Sequence, residues 1–166
     1  MMNLFKKLLN KSNSLDIKNN EIITPLAGKI VNLETVSDPL FAQQIMGKTI
    51  AIKTNKISDI VNAPITGKIK ALYPTGHAFG IESDSGLEVL VHIGIDTVNA
   101  KGKGFKILEH NQGERVKAGT PMVKVDFGKL SKTYDMLVFV VITKNIASKV
   151  EFKSLTEVED NQIISI

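Results

Sequence analysis

The segment GHAFGIESDSGLEVLVHIGIDT, residues 76–97, constrains the fold more than any other part of this chain. Residues 78–82 and 87–93 are apolar-rich runs with β-branched members, and between them Ser83, Asp84, Ser85 and Gly86 supply what a tight hairpin turn uses. Antiparallel pairing of the two runs returns the chain to its starting edge. His77, at the start of the first strand, and His92, near the end of the second, then become neighbours across the pair. A period of two puts Glu88, Leu90 and His92 on one face and Leu87, Val89, Val91 and Ile93 on the other. The wholly apolar face is the core side, so His92 points to an accessible, partly apolar surface where an imidazole is available for chemistry.

The remainder also reads as β. Runs at 48–54, 67–72, 121–126 and 136–143 are punctuated by Gly, Pro and Asn, the pattern of an antiparallel β-sandwich or barrel. Helix is limited to one or two short turns, one after Pro39 and one after Gly128. Ser37-Asp38-Pro39 is a good helix start, with a capping side chain just before a proline at the first helical position. TPLAGKI at 24–30 and APITGKI at 63–69 share P-x-x-G-K-I, which predicts a duplicated strand-turn-strand unit. The glycines of this repeat are expected at turns or bulges, where positive φ favours glycine.

Composition bounds the function. A chain of 166 residues, 43% hydrophobic, is long enough for one domain with a sizeable core, and no second catalytic domain fits. Without cysteine there are no disulfides, thiolate nucleophiles or cysteine-based metal sites, in agreement with a cytoplasmic location. The net charge of +4 comes from lysines and a single arginine, Arg115, spread along the chain. That is poor material for bidentate reading of bases or phosphates, and aromatic residues for stacking are few, so nucleic acid is not an expected partner.

The run LEVLVHIGIDT, preceded by HAFGIESDSG, resembles the signature of the glucose-type IIA family of the bacterial phosphoenolpyruvate:sugar phosphotransferase system. The resemblance continues through EIITPLAGKIVNLETVSDPLFAQQIMGKTIAI, NAPITGKIKALYPTGHAF, KGKGF and GERVKAGTPMVKVD, and weakens after about Phe127. It implies an antiparallel β-sandwich of duplicated motifs spanning residues 19–166, after a tail at 1–18, and the function of a phosphocarrier. In that family a phosphoryl group passes from the carrier HPr to one histidine of IIA, then to the IIB domain of a glucose-type sugar permease. His92 matches the phosphorylated histidine, His77 the second active-site histidine, and Thr75 a threonine beside them. Asp38 and Asp96 match acidic positions at the rim, where they would pair with a basic residue of HPr. Asp38 reads equally well as a helix cap.

The chemistry suits these residue types. Neutral imidazole is a competent nucleophile near neutral pH because one ring nitrogen keeps a free lone pair. Phosphoryl transfer passes through a loose, in-line transition state, so the protein mainly positions groups and stabilises charge. His77 Nε2–H is the expected donor to the phosphoryl oxygens. Thr75 would fix its tautomer through the other ring nitrogen, as a backbone carbonyl near Gly94 would for His92. No cofactor is called for, since no nucleotide has bridging phosphates for magnesium to clamp. Leu40, Phe41, Ile45 and Met46 after Pro39, with Tyr73 and Leu90 near the histidines, are the expected apolar docking surface for successive carriers. Ordinary core packing is the favoured account of Phe41, Ile45 and Ile93. Some family members carry phenylalanine where this chain has Tyr73, Leu90 and Ile93, which bears on partner choice rather than on chemistry.

Two other functions share features with this sequence. His77, His92 and Asp96 resemble part of a zinc peptidase ligand set, but the H-x-H motif of lysostaphin-type enzymes is missing, because Gly94 follows His92 at the required spacing. His110 lies in a polar turn where solvent exposure is expected. Gly113-Glu114-Arg115-Val116-Lys117-Ala118-Gly119 suggests a biotinyl or lipoyl carrier, but no motif like E-A-M-K-M presents a lysine for modification. The protein is expected to be a monomer.

In residues 1–14, MMNLFKKLLNKSNS, Met1, Leu4, Phe5, Leu8 and Leu9 recur at helical spacing with Lys6, Lys7 and Lys11 on the flanks. The segment is too short and too often interrupted by lysine to span a bilayer or form a signal-peptide core. The family's similar tail implies a mobile segment that becomes an amphipathic helix on the inner membrane surface near the permease. Deletion of residues 1–14 is expected to weaken binding to anionic vesicles in a sedimentation assay while sparing phosphoryl transfer from HPr; unchanged vesicle binding would refute the membrane role.

Overall fold

The structure is a computed structural model that describes residues 17–18, 20–146 and 149–166. The proposed amphipathic stretch at 1–14 lies outside the described residues. Eleven strands run in chain order as β1 (Gly28–Val31), β2 (Lys48–Lys53), β3 (Ser58–Asn62), β4 (Gly67–Leu72), β5 (Ala78–Glu82), β6 (Glu88–Ile93), β7 (Phe105–Ile107), β8 (Arg115–Val116), β9 (Pro121–Asp126), β10 (Val138–Lys144) and β11 (Glu157–Val158). They form an eight-stranded sheet, β11-β1-β2-β10-β6-β5-β4-β8, and a three-stranded sheet, β3-β9-β7, with every pairing antiparallel. The fold is the expected antiparallel β-sandwich. Among the described residues, helix is confined to α1 (Pro39–Ala42), α2 (Phe127–Leu130) and two 3₁₀ turns, Leu33–Thr35 and Thr97–Ala100.

The alternation read from the sequence sets the core. Val89, Val91 and Ile93 of β6 are buried, while Glu88, Leu90 and His92 on the other face are half-buried. The buried face meets Phe79 and Ile81 of β5, Val138 and Val140 of β10, and Val123 and Val125 of the smaller sheet in the main core. Each such side chain, fully withdrawn from water, contributes about 1.5–3 kcal/mol before the entropy of ordering is subtracted. The large sheet also carries a second apolar cluster on its outer face, where Phe139 and Val141 of β10 and Ala51 of β2 are covered by Val36 and Phe41. Residues 32–47, the connection from β1 to β2, supply that cover.

The repeat is a repeat of structure. The order of the large sheet is palindromic in type, with β1 paired to β2 and β11 as β4 is paired to β5 and β8. The hydrogen bonds match in the two copies. Ile30 N donates to Thr156 O at 2.8 Å and Ile69 N to Glu114 O at 2.8 Å, while Thr24 N donates to Gln162 O at 2.9 Å and Ala63 N to Thr120 O at 2.8 Å. Where the copies meet, the bonds are reciprocal: Ile23 N to Pro64 O and Asn62 N to Pro25 O, both 2.8 Å. The duplication departs from itself between the first two strands of each copy. Residues 73–77 join β4 to β5 by a short link, whereas residues 32–47 form the long excursion over the outer face.

The glycines of the repeat have a different purpose from the one expected. Neither Gly28 nor Gly67 has positive φ; both open strands. A Cβ on Gly28 would lie 2.5 Å from Lys53 O, and one on Gly67 would overlap Glu82 O, so in both copies the requirement is close approach to a neighbouring strand's backbone. Gly67→Ala is therefore expected to destabilise the protein by about 1–3 kcal/mol in urea unfolding, the usual cost of overpacking. Lys68→Ala, at the exposed neighbouring position, should change stability by less than about 0.5 kcal/mol; equal effects of the two would refute the close-approach account.

Candidate functional site

β5 and β6 pair with Ala78 opposite His92, and His77 O accepts a 2.7 Å hydrogen bond from Ile93 N. That register brings the imidazoles of His77 and His92 to a centroid separation of 5.3 Å, edge to face at 76°. His77 is buried, at 5% exposure, and His92 is half-buried. Each ring has its Nδ1 engaged. His92 Nδ1 lies 2.9 Å from Gly94 O, an acceptor only, so this bond requires the proton on Nδ1 and leaves Nε2 with its lone pair free. His77 Nδ1 lies 2.5 Å from Thr75 Oγ1. When the threonine hydroxyl donates, His77 carries its proton on Nε2.

Gly94 presents its carbonyl because the chain turns there with φ of 76°, a conformation glycine adopts without Cβ strain. The turn is held from the segment that leads into β10, with Gly94 N donating to Leu137 O at 2.7 Å and Ile95 N to Asp135 O at 3.0 Å.

The two histidines line a depression of about 310 Å³ together with Asp38, Leu40, Phe41, Met46, Tyr73, Leu90 and Asp96. Of the residues expected at the site from sequence, Thr75, which bonds His77 from behind, and Ile45 are outside this lining. Ala78, Thr97 and Val98 also line it and were not anticipated. Val98 follows Asp96 in a sharp left-handed turn (Asp96 φ 59°) that tips it outward, and Thr97 is buried beneath the site.

Asp38 caps α1, accepting 2.9 Å from Leu40 N, so the cap reading holds while the carboxylate also reaches the rim. That cap sets Phe41, buried as expected for core. Its ring stacks on Phe139 at 3.8 Å and stands 5.1 Å from the His92 ring, a wall of the site rather than an exposed docking residue. Ile93 is buried too, but Ile45, expected in the core, is 61% exposed, because α1 ends at Ala42 and the following turn carries Ile45 outward. Leu40 and Tyr73 are exposed at the depression, and the Tyr73 ring lies 5.2 Å from His77. His110 is not simply solvated: Nε2 lies 3.1 Å from Pro121 O and Nδ1 3.5 Å from Glu114. Among the described residues no three His, Cys, Asp or Glu side chains converge as metal ligands.

Burial lowers the His92 pKa to about 4, with the neighbouring His77 adding to the effect, and Gly94 O, Asp38 and Asp96 opposing it. Burial lowers that of His77 as well. Both rings are thus neutral at pH 7. The depressed value means the unfolded chain binds the His92 proton more tightly than the folded one. Between pH 6.5 and about 4 acidification therefore costs stability, and this contribution is fully present only above pH 6.5. In an NMR titration the His92 ring signals are expected to move with a midpoint near 4, and urea stability to fall through the same window less steeply in His92→Gln; a His92 midpoint at 6.5 would contradict the buried, neutral site.

Residues 20–148 match the family described as phosphoenolpyruvate-dependent sugar phosphotransferase system, EIIA 1, so the likeness continues well past Phe127. The glucose-specific EIIA component of Staphylococcus epidermidis is 39% identical over 142 residues, 86% of this chain and 83% of that protein. The corresponding component of Staphylococcus aureus strain MSSA476 is 38% identical over the same shares. Among solved structures, glucose permease IIA from Mycoplasma capricolum superposes with a TM-score of 0.79 at 33% identity, covering 87% of this chain and 93% of that one. The chain belongs to the EIIA type 1 family of the phosphoenolpyruvate-dependent sugar phosphotransferase system.

Proposed function

We propose that this protein is a phosphocarrier in which His92 Nε2 accepts a phosphoryl group from phospho-HPr and passes it to the IIB domain of a permease for glucose or a related hexose. The observation that carries the reading is the 5.3 Å approach of two neutral imidazoles whose Nδ1 atoms are both engaged. In the acceptance step the lone pair of His92 Nε2 attacks phosphorus in line, the Nε2–P bond forms, and the donor's N–P bond breaks with its electron pair returning to the donor imidazole. No proton has to be abstracted. The positive charge that His92 gains is met by Gly94 O and by the carboxylates of Asp38 and Asp96 nearby. His77 Nε2–H, held by Thr75, donates to the equatorial oxygens as the charge spreads over them.

The rim supports two successive partners. Leu40, Tyr73 and Val98 are exposed apolar groups around the depression, with Met46 and Leu90 half-buried within it, and Asp38 and Asp96 stand among them as anchors for a basic residue of HPr. No described helix is long and apolar enough to cross a membrane. We place the working protein in the cytoplasm as a monomer, touching the inner membrane surface through residues 1–14 when it meets the permease.

Labelling from phosphoenolpyruvate through enzyme I and HPr tests the reading. Wild type is expected to gain acid-labile, base-stable phosphate, and His92→Ala to gain none. His77→Gln should accept the group but deliver it to IIB about 10²–10³-fold more slowly, the usual loss on removing one donor to a developing charge. Labelling that survives in His92→Ala would overturn the assignment, and equal loss in both variants would overturn the division of roles.

A further inference from the structure

We propose that Thr97 is a positioning residue: its buried hydroxyl fixes the turn that aims the Gly94 carbonyl at His92 Nδ1, and so keeps Nε2 the unprotonated, nucleophilic nitrogen. The inference rests on the reading of His92 as phosphoryl acceptor only for its kinetic consequence; its structural content is the tautomer of one ring.

Thr97 has no exposed surface, and its Oγ1 donates to Ile93 O at 2.5 Å. Ile93 O belongs to the peptide plane that enters Gly94, so this bond anchors the plane from which the next one, carrying the Gly94 carbonyl, is set out toward the ring. Two backbone bonds to Leu137 O and Asp135 O hold the N–H side of the same turn, and among the described residues Thr97 supplies the side-chain hydrogen bond to it besides that of His92 itself. The methyl group is equally placed: a Cβ built on Gly94 would overlap Thr97 Cγ2, so the threonine packs directly against the glycine. Oxygen and methyl therefore clamp a left-handed residue from one side while residues 135–137 clamp it from the other. A serine offers only the hydroxyl, and a valine only the shape.

The bond matters because a neutral imidazole has two tautomers of similar energy, and which one prevails is set by the partner of the other nitrogen. If the Gly94 carbonyl drifts, the proton moves to Nε2 in a fraction of molecules and that fraction cannot attack phosphorus.

Thr97→Val and Thr97→Ser separate the two roles. Nitrogen-15 spectra of the histidine rings at pH 7.5 are expected to show a single Nδ1–H tautomer for His92 in wild type and in Thr97→Ser, and a mixture in Thr97→Val. Acceptance from phospho-HPr should slow in Thr97→Val in proportion to the Nε2–H fraction, about two- to tenfold for a mixture with half to nine-tenths in that tautomer, and keep the wild-type rate in Thr97→Ser. A wild-type tautomer and rate in Thr97→Val would overturn the proposal. So would a mixed tautomer in Thr97→Ser, which decides the matter even where the valine variant does not fold. The ring spectra need no partner protein, so if wild type fails to label at all, the phosphocarrier reading falls while the spectra still decide on Thr97.

Discussion

Everything about the site depends on the register between β5, β6 and β10. With Ala78 on one side of His92 and Phe139 on the other, the imidazole stands on the outer face of the central sheet while Val91 and Ile93 fill the core. A slip of one residue would turn His92 inward and an isoleucine outward. The core thus enforces the register, and the register delivers the histidine. His77 is tied to the same geometry, because the hydrogen bond from Ile93 N to His77 O extends the ladder one step beyond β5.

The second constraint is asymmetry laid over duplication. Two similar strand units would give a sheet with an open apolar outer face on both sides of its centre. The connection 32–47 covers one side, packing Phe41 on Phe139, and stops at the ring of His92. The short link 73–77 leaves the other side open and supplies Tyr73, Thr75 and His77 instead. A site with an apolar wall, a buried imidazole and a solvent-facing mouth results from the mismatch between two connections of unequal length. The desolvation that depresses the His92 pKa has the same origin, since the wall excludes water from one side of the ring.

Much of this was legible in the sequence because it depends on local periodicity. β4, β5 and β9 fall on their expected spans, and the alternation 87–93 placed His92 on its true face. What escaped was set by partners distant in the chain. β8 and β11 are two-residue strands that exist only because β4 and β1 offer edges, and their residues show no period of their own. Gly28 and Gly67 were read for conformational freedom, whereas their role is the approach of another strand, which no single segment encodes. Ile45, for which ordinary core packing is the expectation, follows the end of a one-turn helix and lies outside. Thr97 carried a usable signal: a threonine just after a strand end and a glycine turn is well placed to bond back to the strand's last carbonyl.

The reciprocal bonds between the two copies bear on how the chain acquires its shape during synthesis. β1 needs β11 as a neighbour, and Ile22 and Ile23 are paired with residues 163 and 164, so the first described strand is completed by the last. The second copy is less divided, since β4, β5, β6 and β8 all precede residue 117. On the ribosome, the hairpin that bears both histidines can assemble with its own edge strand while the first copy still waits for its final partner. The nascent protein therefore carries an unpaired β1 edge until residues 157–158 emerge, and the exposed Lys29 on that strand discourages the edge from joining another chain in the interval.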